Sequence, residues 1–569
     1  MTVLRTSNAP IGLDRGKPIT TSDNLGWVKP SDWLDYTVPA ASDQKVIGTV
    51  AVFNQDSNYF AVNITTTDAS NYTVDWGDGT SANFASGVTA EKNYTWASIS
   101  SGTLTSEGYR QAIVTITPTT AGRTFSNLQL NRRHSALTAS TTIFSPWLSL
   151  SISAPNATSI TLAGSPDATK VVTGLAQQIQ IFSSNLTSSG ASGLFQNCYA
   201  LQDVVFNASG TLTNLTSMFQ SCRNLKVAPF FNTASATNMN NIFNGCLALQ
   251  SVPLYNTSSV TDGMSGMFNA CASLRTVPFF NTASVTNFSN MFFAAYSLES
   301  VPLWNTASAT NMQNMFFNCY SLKSVPLFNT ALVTNMANFL YGTACVESIP
   351  VFNTAAVTDM SGMFRFSSGM VFLPALNTSA VTNISNIFTS NSTLIKEIAE
   401  LNLSSISSLA NNLLGLGSAT ATSAAANLNR AKITGNKWTQ SFQNCSMGAA
   451  QLDEMYTSLA TLNPAITTVS GNGTTVTVTV GTADIKSFIV GRSVTITAVD
   501  PVAYNITGNV ASVNNAAGTF TITNAATGVY VSGGVASITT DRTITVTGNP
   551  GVATDTPAIA TAKGWTVVG

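Results

Sequence analysis

Residues 276–330 read TVPFFNTASVTNFSNMFFAAYSLESVPLWNTASATNMQNMFFNCYSLKSVPLFNT. The phrase Val-Pro-apolar-aromatic-Asn-Thr occurs three times in that stretch, at Pro278, Pro302 and Pro326. Upstream it stands at Pro229 (VAPFFNT) and Pro253 (SVPLYNT), and downstream at Pro350 (SIPVFNT) and Pro374 (FLPALNT). The steps between these prolines are 24, 25, 24, 24, 24 and 24 residues, the longer one holding Gly263 as an extra residue between Asp262 and Met264. A fixed period in this range marks a solenoid, in which each unit buries its apolar side only by stacking on its neighbours.

Each unit parses into pieces. A short strand carries Leu249, Val252 and Leu254 up to an Asn-Thr turn at Asn256, and a second extended piece carries Val260. A compact helical turn then points Met267 and Phe268 inward, and Cys271 and Leu274 close the unit. Stacked units pair strands in parallel about 4.8 Å apart, so ten or so would make a rod roughly 50 Å long. Cys198, Cys222, Cys246, Cys271 and Cys319 each follow a Phe by three residues, as Cys445 follows Phe442. That spacing is not one of metal ligands, and it reads as a small buried core position.

The pattern VTNM-x-x-MF-x-x-C-x-x-L-x-x-VP-x-x-NT resembles the BspA-type leucine-rich repeats, also described as the mycoplasma-lipoprotein surface repeat, from about residue 190 to 390. The resemblance implies a surface-exposed binding or adhesion solenoid of a family found in bacteria, protists and phage particles. It speaks to fold more firmly than to task.

The flanks carry other modules. Val74-Asp75-Trp76-Gly77-Asp78-Gly79-Thr80 resembles the PKD family, an immunoglobulin-like sandwich, with Tyr94 as its penultimate aromatic and Arg110–Ile116 as its alternating last strand. Asp75 and Asp78 read as turn chemistry, not as a catalytic pair. Residues 466–540 alternate as strands between Gly, Asn and Asp turns. This segment looks like a small β module common in phage structural proteins, and it is flanked by a helix (452–462) and by a strand–turn–helix–strand ending at 565–568. There Thr556 is the N-cap, Pro557 opens the helix and Gly564 closes it.

The expected fold is therefore mainly β and multidomain. An N-terminal arm (1–45) precedes a PKD-like Ig-fold sandwich (46–125) and a leucine-rich-repeat-type solenoid of short parallel strands and short helical turns (126–465). An inserted small β module (466–540) and a C-terminal solenoid cap (541–569) follow.

Composition narrows the function. The 569 residues include 24 Lys+Arg, 25 Asp+Glu and one His, so charge is 9 % of the chain against roughly 25 % in ordinary soluble proteins. Nucleic-acid binding needs clustered Lys and Arg, and a spanning helix needs about 18 or more apolar residues in a run; neither occurs. The first residues, MTVLRTSNAPIGLDRGKP, show no apolar core of a secretory signal. In-register stacking accounts for part of the low charge, because a repeated charge meets its own copy about 5 Å away. Asn and Thr can instead hydrogen-bond up and down the stack, and the rows beginning at Asn232 and Asn238 read this way.

No GxSxG, HExxH, Walker loop or CxxC pair is present. We therefore expect no enzyme, no catalytic residues, no cofactor and no metal. The candidate binding ladder is the aromatic row before each Asn-Thr: Phe231, Tyr255, Phe280, Trp304, Phe328 and Phe352. Its neighbours Phe230, Leu254, Phe279, Leu303, Leu327 and Val351 form the adjacent row, and alternation sends the two rows to opposite faces. Tyr255 and Trp304 have polar edges that want partners, which favours exposure of the aromatic row and stacking on sugar rings or a protein; the alternative is a row covered from the opposite side of the solenoid. A row of varied charge (Lys226, Gln250, Arg275, Glu299, Lys323, Glu347) reads as a solvated face. Trp27, Trp33 and Tyr36 are candidate docking residues of an arm that orders on a partner, the alternative being a strap packed on the first domain.

Together these features lead us to expect a bacteriophage virion structural protein, a tail or head fibre or decoration component. Its partners would be other virion proteins through the arm and a host surface glycan or protein, in a homo-oligomer or multi-copy arrangement without nucleic acid or membrane insertion. The alternative is a bacterial cell-surface adhesin of the same repeat family.

Overall fold

The structure is a computed structural model. It describes residues 27–569 apart from 56, 138–143, 163–172, 209, 262, 389–394, 404–429, 435–439, 442–446, 460–463, 481–487, 489, 491–492, 501, 539–542, 548 and 550. Residues 1–26 of the arm, Asp262, and Cys445 with Phe442 lie outside the described residues.

The N-terminal sandwich is built from strands β1 (Lys45–Val52), β2 (Asn58–Thr66), β3 (Tyr72–Asp75), β4 (Ser81–Phe84), β5 (Thr89–Tyr94), β6 (Arg110–Pro118) and β7 (Phe125–Gln129). Trp76 is buried edge-on against Phe60, and Tyr94 donates its hydroxyl to the Trp76 carbonyl at 2.8 Å. The turn between β3 and β4 is held by its carboxylates: Asp75 accepts from the Gly77 N–H, and Asp78 accepts from the Thr80 N–H and pairs with Lys92 at 2.6 Å. Burial pushes the Asp78 carboxyl up, but the bonds from Lys92 and Thr80 outweigh it and hold the group below its usual range.

The solenoid starts inside that sandwich. Next along the chain are β8 (Phe144–Ser145), β9 (Trp147–Ser153), β10 (Ser159–Thr161), β11 (Thr173–Gly174), β12 (Gln178–Ser183) and β13 (Asp203–Ala208), with a one-turn helix α1 (Ser188–Ala191). β9 pairs antiparallel with β1, then β12 and β13 add in parallel, giving one seven-stranded sheet in the order β13-β12-β9-β1-β6-β3-β4. The second sheet, β10-β7-β2-β5, likewise recruits β10 in parallel. Both sheets thus run from sandwich to solenoid without a break, and the first coil's strand edge is paired instead of open to other chains. β9 is buried along its whole length. Its inner side chains lie in the shared core, and the strap of residues 27–36 covers its outer side.

From residue 213 to 388 the coils step up the rod with little formal strand. β14 (Phe372–Leu373), β15 (Glu397–Asn402) and β16 (Arg430–Thr434) pair in parallel further along. The expected short parallel strands contract between them to single bridges such as Val227↔Ser251 and Ser348↔Phe372. The repeated proline explains this, since it has no N–H to give the ladder.

The expected helical turns differ too. Met264–Phe268 and its equivalents form a run of turns, with local bonds (Cys246 N–H to Phe243 O, 3.0 Å) alternating with bonds to the next coil (Phe243 N–H to Met267 O, 3.1 Å). Two residues per coil take left-handed backbone. Asn241, Asn290, Asn314 and Asn338 (φ 53–56) fill much of one such row, with Gly193, Ser217, Gly266, Gly362 and Asn386 at its other positions. Asn and Gly tolerate that conformation best.

Among the described residues, the two expected Asn rows make one side-chain bond between coils, Asn383 Nδ2 to Asp359 Oδ2 at 3.1 Å, while another Asn row stacks, Asn314 on Asn290 at 2.9 Å and Asn338 on Asn314 at 3.1 Å. Otherwise the Asn232 and Asn238 rows spend their side-chain oxygens within their own coil, accepting from the N–H two residues on (Ala234 to Asn232, 3.0 Å; Asn240 to Asn238, 2.9 Å). The buried threonines make the ladder instead: Thr233, Thr257, Thr282, Thr306, Thr330 and Thr354 each donate Oγ1 to the carbonyl of the next coil's Asn, at 2.7–2.9 Å. Thr330→Val keeps the shape and leaves the Asn353 carbonyl unpaired, so urea titration is expected to show a loss of about 1–3 kcal/mol.

At the C-terminal end, β17 (Gln440–Ser441) and helix α2 (Ala449–Ser458) precede a six-stranded antiparallel module. That module contains β18 (Thr468–Gly471), β19 (Thr475–Thr479), β20 (Ser493–Asp500), β21 (Thr507–Asn514), β22 (Thr519–Thr523) and β23 (Ser532–Ile538). β24 (Thr543–Thr545), helix α3 (Ala558–Thr561) and β25 (Thr566–Val568) then return to the rod, β24 pairing in parallel with both β17 and β25. The Tyr456 hydroxyl donates to Asp555 at 2.7 Å and the Thr556 N–H to Asp453 at 2.6 Å, joining α2 to the final coil across the module.

Candidate interaction face

In each coil the segment after the proline is extended, so side chains alternate in and out. The structure assigns the two rows oppositely to the expectation. Phe231, Tyr255, Phe280, Trp304, Phe328 and Phe352 are all buried, none above 5 % exposed. The candidate aromatic ladder is core. The reason lies in two contacts that adjacent positions in sequence do not reveal. The opposite wall of the solenoid brings its own ring row against it: Trp304 lies 5.9 Å from Phe292 and Tyr255 6.2 Å from Phe243, both stacked. The polar edges find partners inside, on the proline carbonyl of the preceding coil: Tyr255 Oη to Pro229 O at 2.6 Å, and Trp304 Nε1 to Pro278 O at 3.3 Å.

The exposed row is the neighbouring one. Phe230, Leu254, Phe279, Leu303, Leu327 and Val351 are 56–74 % exposed, one per coil over six consecutive coils. The row ends on small Ala375. Contiguous apolar patches of this kind mark interaction sites on soluble proteins.

Beside it runs the row Lys226, Gln250, Arg275, Glu299, Lys323 and Glu347. It is half-buried to exposed, and successive members bond backbone to backbone (Glu299 N–H to Arg275 O, 2.8 Å). Glu299 pairs with Lys323 at 2.6 Å and lies 3.7 Å from Arg275, so opposite signs on neighbouring coils offset the repulsion that a uniform row would suffer.

A second surface feature went unremarked in the sequence, although its spacing of 24 was legible. Phe293, Phe317 and Tyr341 stack at 4.4 and 4.0 Å along the turn edge, with Tyr296 and Tyr320 stacked at 5.2 Å nearby. The rings occupy each other's faces, so this column offers a partner mainly ring edges.

The docking residues are corrected as well. Trp33 is buried against Ala51, Tyr109 and Leu148, and donates Nε1 to the Tyr109 hydroxyl at 3.0 Å. Trp27 donates Nε1 to Gln177, and the Tyr36 hydroxyl bonds Ser151. These side chains form a strap on the outer face of β1, β6 and β9.

The cysteine row is buried as expected. Cys222 Sγ donates to the Phe195 carbonyl at 3.1 Å, and Cys246 repeats the bond on Phe219. Burial pushes the Cys198 thiol up to about 12 and raises Cys222, Cys246, Cys271 and Cys319 too, which removes thiolate reactivity at neutral pH. Cys345, off the row, is exposed. Among the described residues no three His, Cys, Asp or Glu groups are placed to hold a metal, and no helix is long and apolar enough to cross a membrane.

With the stacked coils in view, comparison with known families finds one match, to the family described as "Mycoplasma protein of unknown function, DUF285", over residues 213–327 and 321–424. The match lies within the solenoid. The matched stretch holds the whole exposed row, from Phe230 to Val351. No curated protein matches the chain. Among solved structures, a chain of the "Crystal structure of TLR13-ssRNA13 complex" aligns at 12 % identity and a TM-score of 0.20, covering 54 % of this chain and 42 % of the other. The alignment thus spans less than half of that chain's length.

Proposed function

We propose that the chain is a non-enzymatic structural component of a bacteriophage particle, a tail or head fibre or decoration component, whose DUF285 face packs on neighbouring virion proteins or on a host surface. The observation that supports it is the exposed row Phe230–Val351: six large apolar side chains on a rigid rod whose other outward positions are mostly Asn, Thr and Ser. Such a face recognises by shape and apolar contact. With net charge −1 there is little long-range field to steer a partner, so association should depend only weakly on salt. The junction of sandwich and solenoid suits a load-bearing part, because two continuous sheets leave no hinge between them.

The test is location. Purified particles from a lysate, analysed by mass spectrometry and immunogold labelling, are expected to carry the chain in multiple copies. Recovery on the surface of uninfected cells, with none on particles, would establish the adhesin of the same repeat family instead. Reducing ends released over time from host polysaccharide would overturn the non-enzymatic part.

A further inference from the structure

We infer that the exposed apolar row is the self-association face of this chain, occupied by a second copy whose solenoid runs antiparallel to the first. This names the partner for the interaction face just described and rests on that reading. The apolar row and the charged row lie on the same extended segment of each coil, four residues apart and so within about 14 Å. A two-fold axis along that segment lays each row on its own copy in reverse order, as an isologous interface requires.

The charged row is self-complementary in that arrangement. In coil order it reads Lys226, Gln250, Arg275, Glu299, Lys323, Glu347. Reversed on itself, Lys226 meets Glu347, Gln250 meets Lys323 and Arg275 meets Glu299, with no like charges opposed. A slip of one coil in one direction opposes Lys226 to Lys323 and Arg275 to itself; a slip in the other opposes Arg275 to Lys323 and Glu299 to itself. A parallel arrangement opposes every charge to its own copy. Like-charge juxtaposition across an interface is a means of excluding wrong registers, and it removes these three. Slips of two coils oppose no like charges but pair only four of the six apolar residues, so the centred register alone combines matched charges with the full apolar row.

The apolar row fits the same register. Phe230 falls opposite Val351, Leu254 opposite Leu327 and Phe279 opposite Leu303, so each Phe meets a smaller aliphatic residue. The row's large side chains start and stop with these six coils. Val205 precedes them half-buried in β13 and Ala375 follows them, so the apolar contact and the charge pattern share one centre, between Arg275 and Glu299.

The test uses the full chain with Cys345→Ser, which removes the exposed thiol. Sedimentation velocity is expected to show a dimer, weakened about a hundredfold by Leu303→Asp beside the axis. Chains carrying Leu254→Cys are mixed with chains carrying Leu327→Cys and treated with a short bismaleimide, because faces packed about 10 Å apart exceed the roughly 7 Å Cα separation that a disulfide allows. An intermolecular cross-link is expected in the mixture and not in either chain alone. Bridging of each chain alone would overturn the antiparallel arrangement. A wild-type chain that stays monomeric at high concentration would overturn the inference. If Leu303→Asp still abolished incorporation into particles in that case, the row would stand as an interaction face for a different partner.

Discussion

Trp304→Ala is expected to cost about 3–5 kcal/mol of unfolding free energy, while Leu303→Ala, its immediate neighbour, stays within about 0.5 kcal/mol in dilute solution. The two residues differ only in which way the extended segment turns them. Trp304 is 2 % exposed, ringed by Phe280, Phe288 and Phe292 at 5.9–6.5 Å. Truncation removes those contacts, leaves a cavity, and takes a donor from the Pro278 carbonyl. Coils in a solenoid touch only their neighbours, so the loss falls on the contacts of one coil with the next. Urea unfolding followed by circular dichroism should show a lower midpoint for Trp304→Ala and a reduced slope if the rod then breaks into two units. Equal midpoints for the two variants would show that the aromatic row is not core.

Gly48→Ala is expected to have the second large effect, about 1–3 kcal/mol or more. Gly48 sits in the middle of β1, opposite Val114 of β6 and Leu150 of β9, where the sandwich hands its sheet to the solenoid. A Cβ there would stand 2.3 Å from the Ser149 carbonyl oxygen and 2.9 Å from the Trp147 ring. Backbone cannot give way cheaply, so β1 and β9 must separate. Hydrogen exchange should show the amides of β9 losing protection before those of the central coils. Gly79→Ala is the control: with φ +85 and nothing within 4 Å of its added Cβ, it bears conformational strain alone, and about 1–2 kcal/mol is expected.

Much of the architecture was legible before any coordinate. The prolines at fixed spacing dictate a stack of coils, and the Asp-Trp-Gly-Asp-Gly turn marks a sandwich strand pair. The six alternating strands after residue 466 needed only local pattern. Other features were not legible because they depend on contacts between distant residues. That β9 would pair with β1 and make one sheet of two modules follows from an edge meeting an edge, which periodicity does not encode. The apolar spacing of Met264–Phe268 suits a compact helical turn, yet residues in left-handed backbone interrupt it and turn alternate N–H groups toward the next coil. Composition points to Asn and Thr as the source of bonds along the stack, but not to their division: the Asx turns of the Asn232 and Asn238 rows close mostly within one coil, and the Thr row carries the ladder.

The candidate site divides in the same way. By itself the sequence determined that two adjacent rows repeat every 24 residues and must face opposite ways, because a strand alternates with period two. It also determined the order of charges beside them. Which row faces water was decided only by the tertiary structure. The far wall of each coil delivers a ring stack to the aromatic side, and the preceding proline's carbonyl, freed by the broken ladder, receives the tyrosine and tryptophan donors. With their polar edges satisfied inside, the larger aromatic residues gain more by burial, and Phe, Leu and Val are left at the surface.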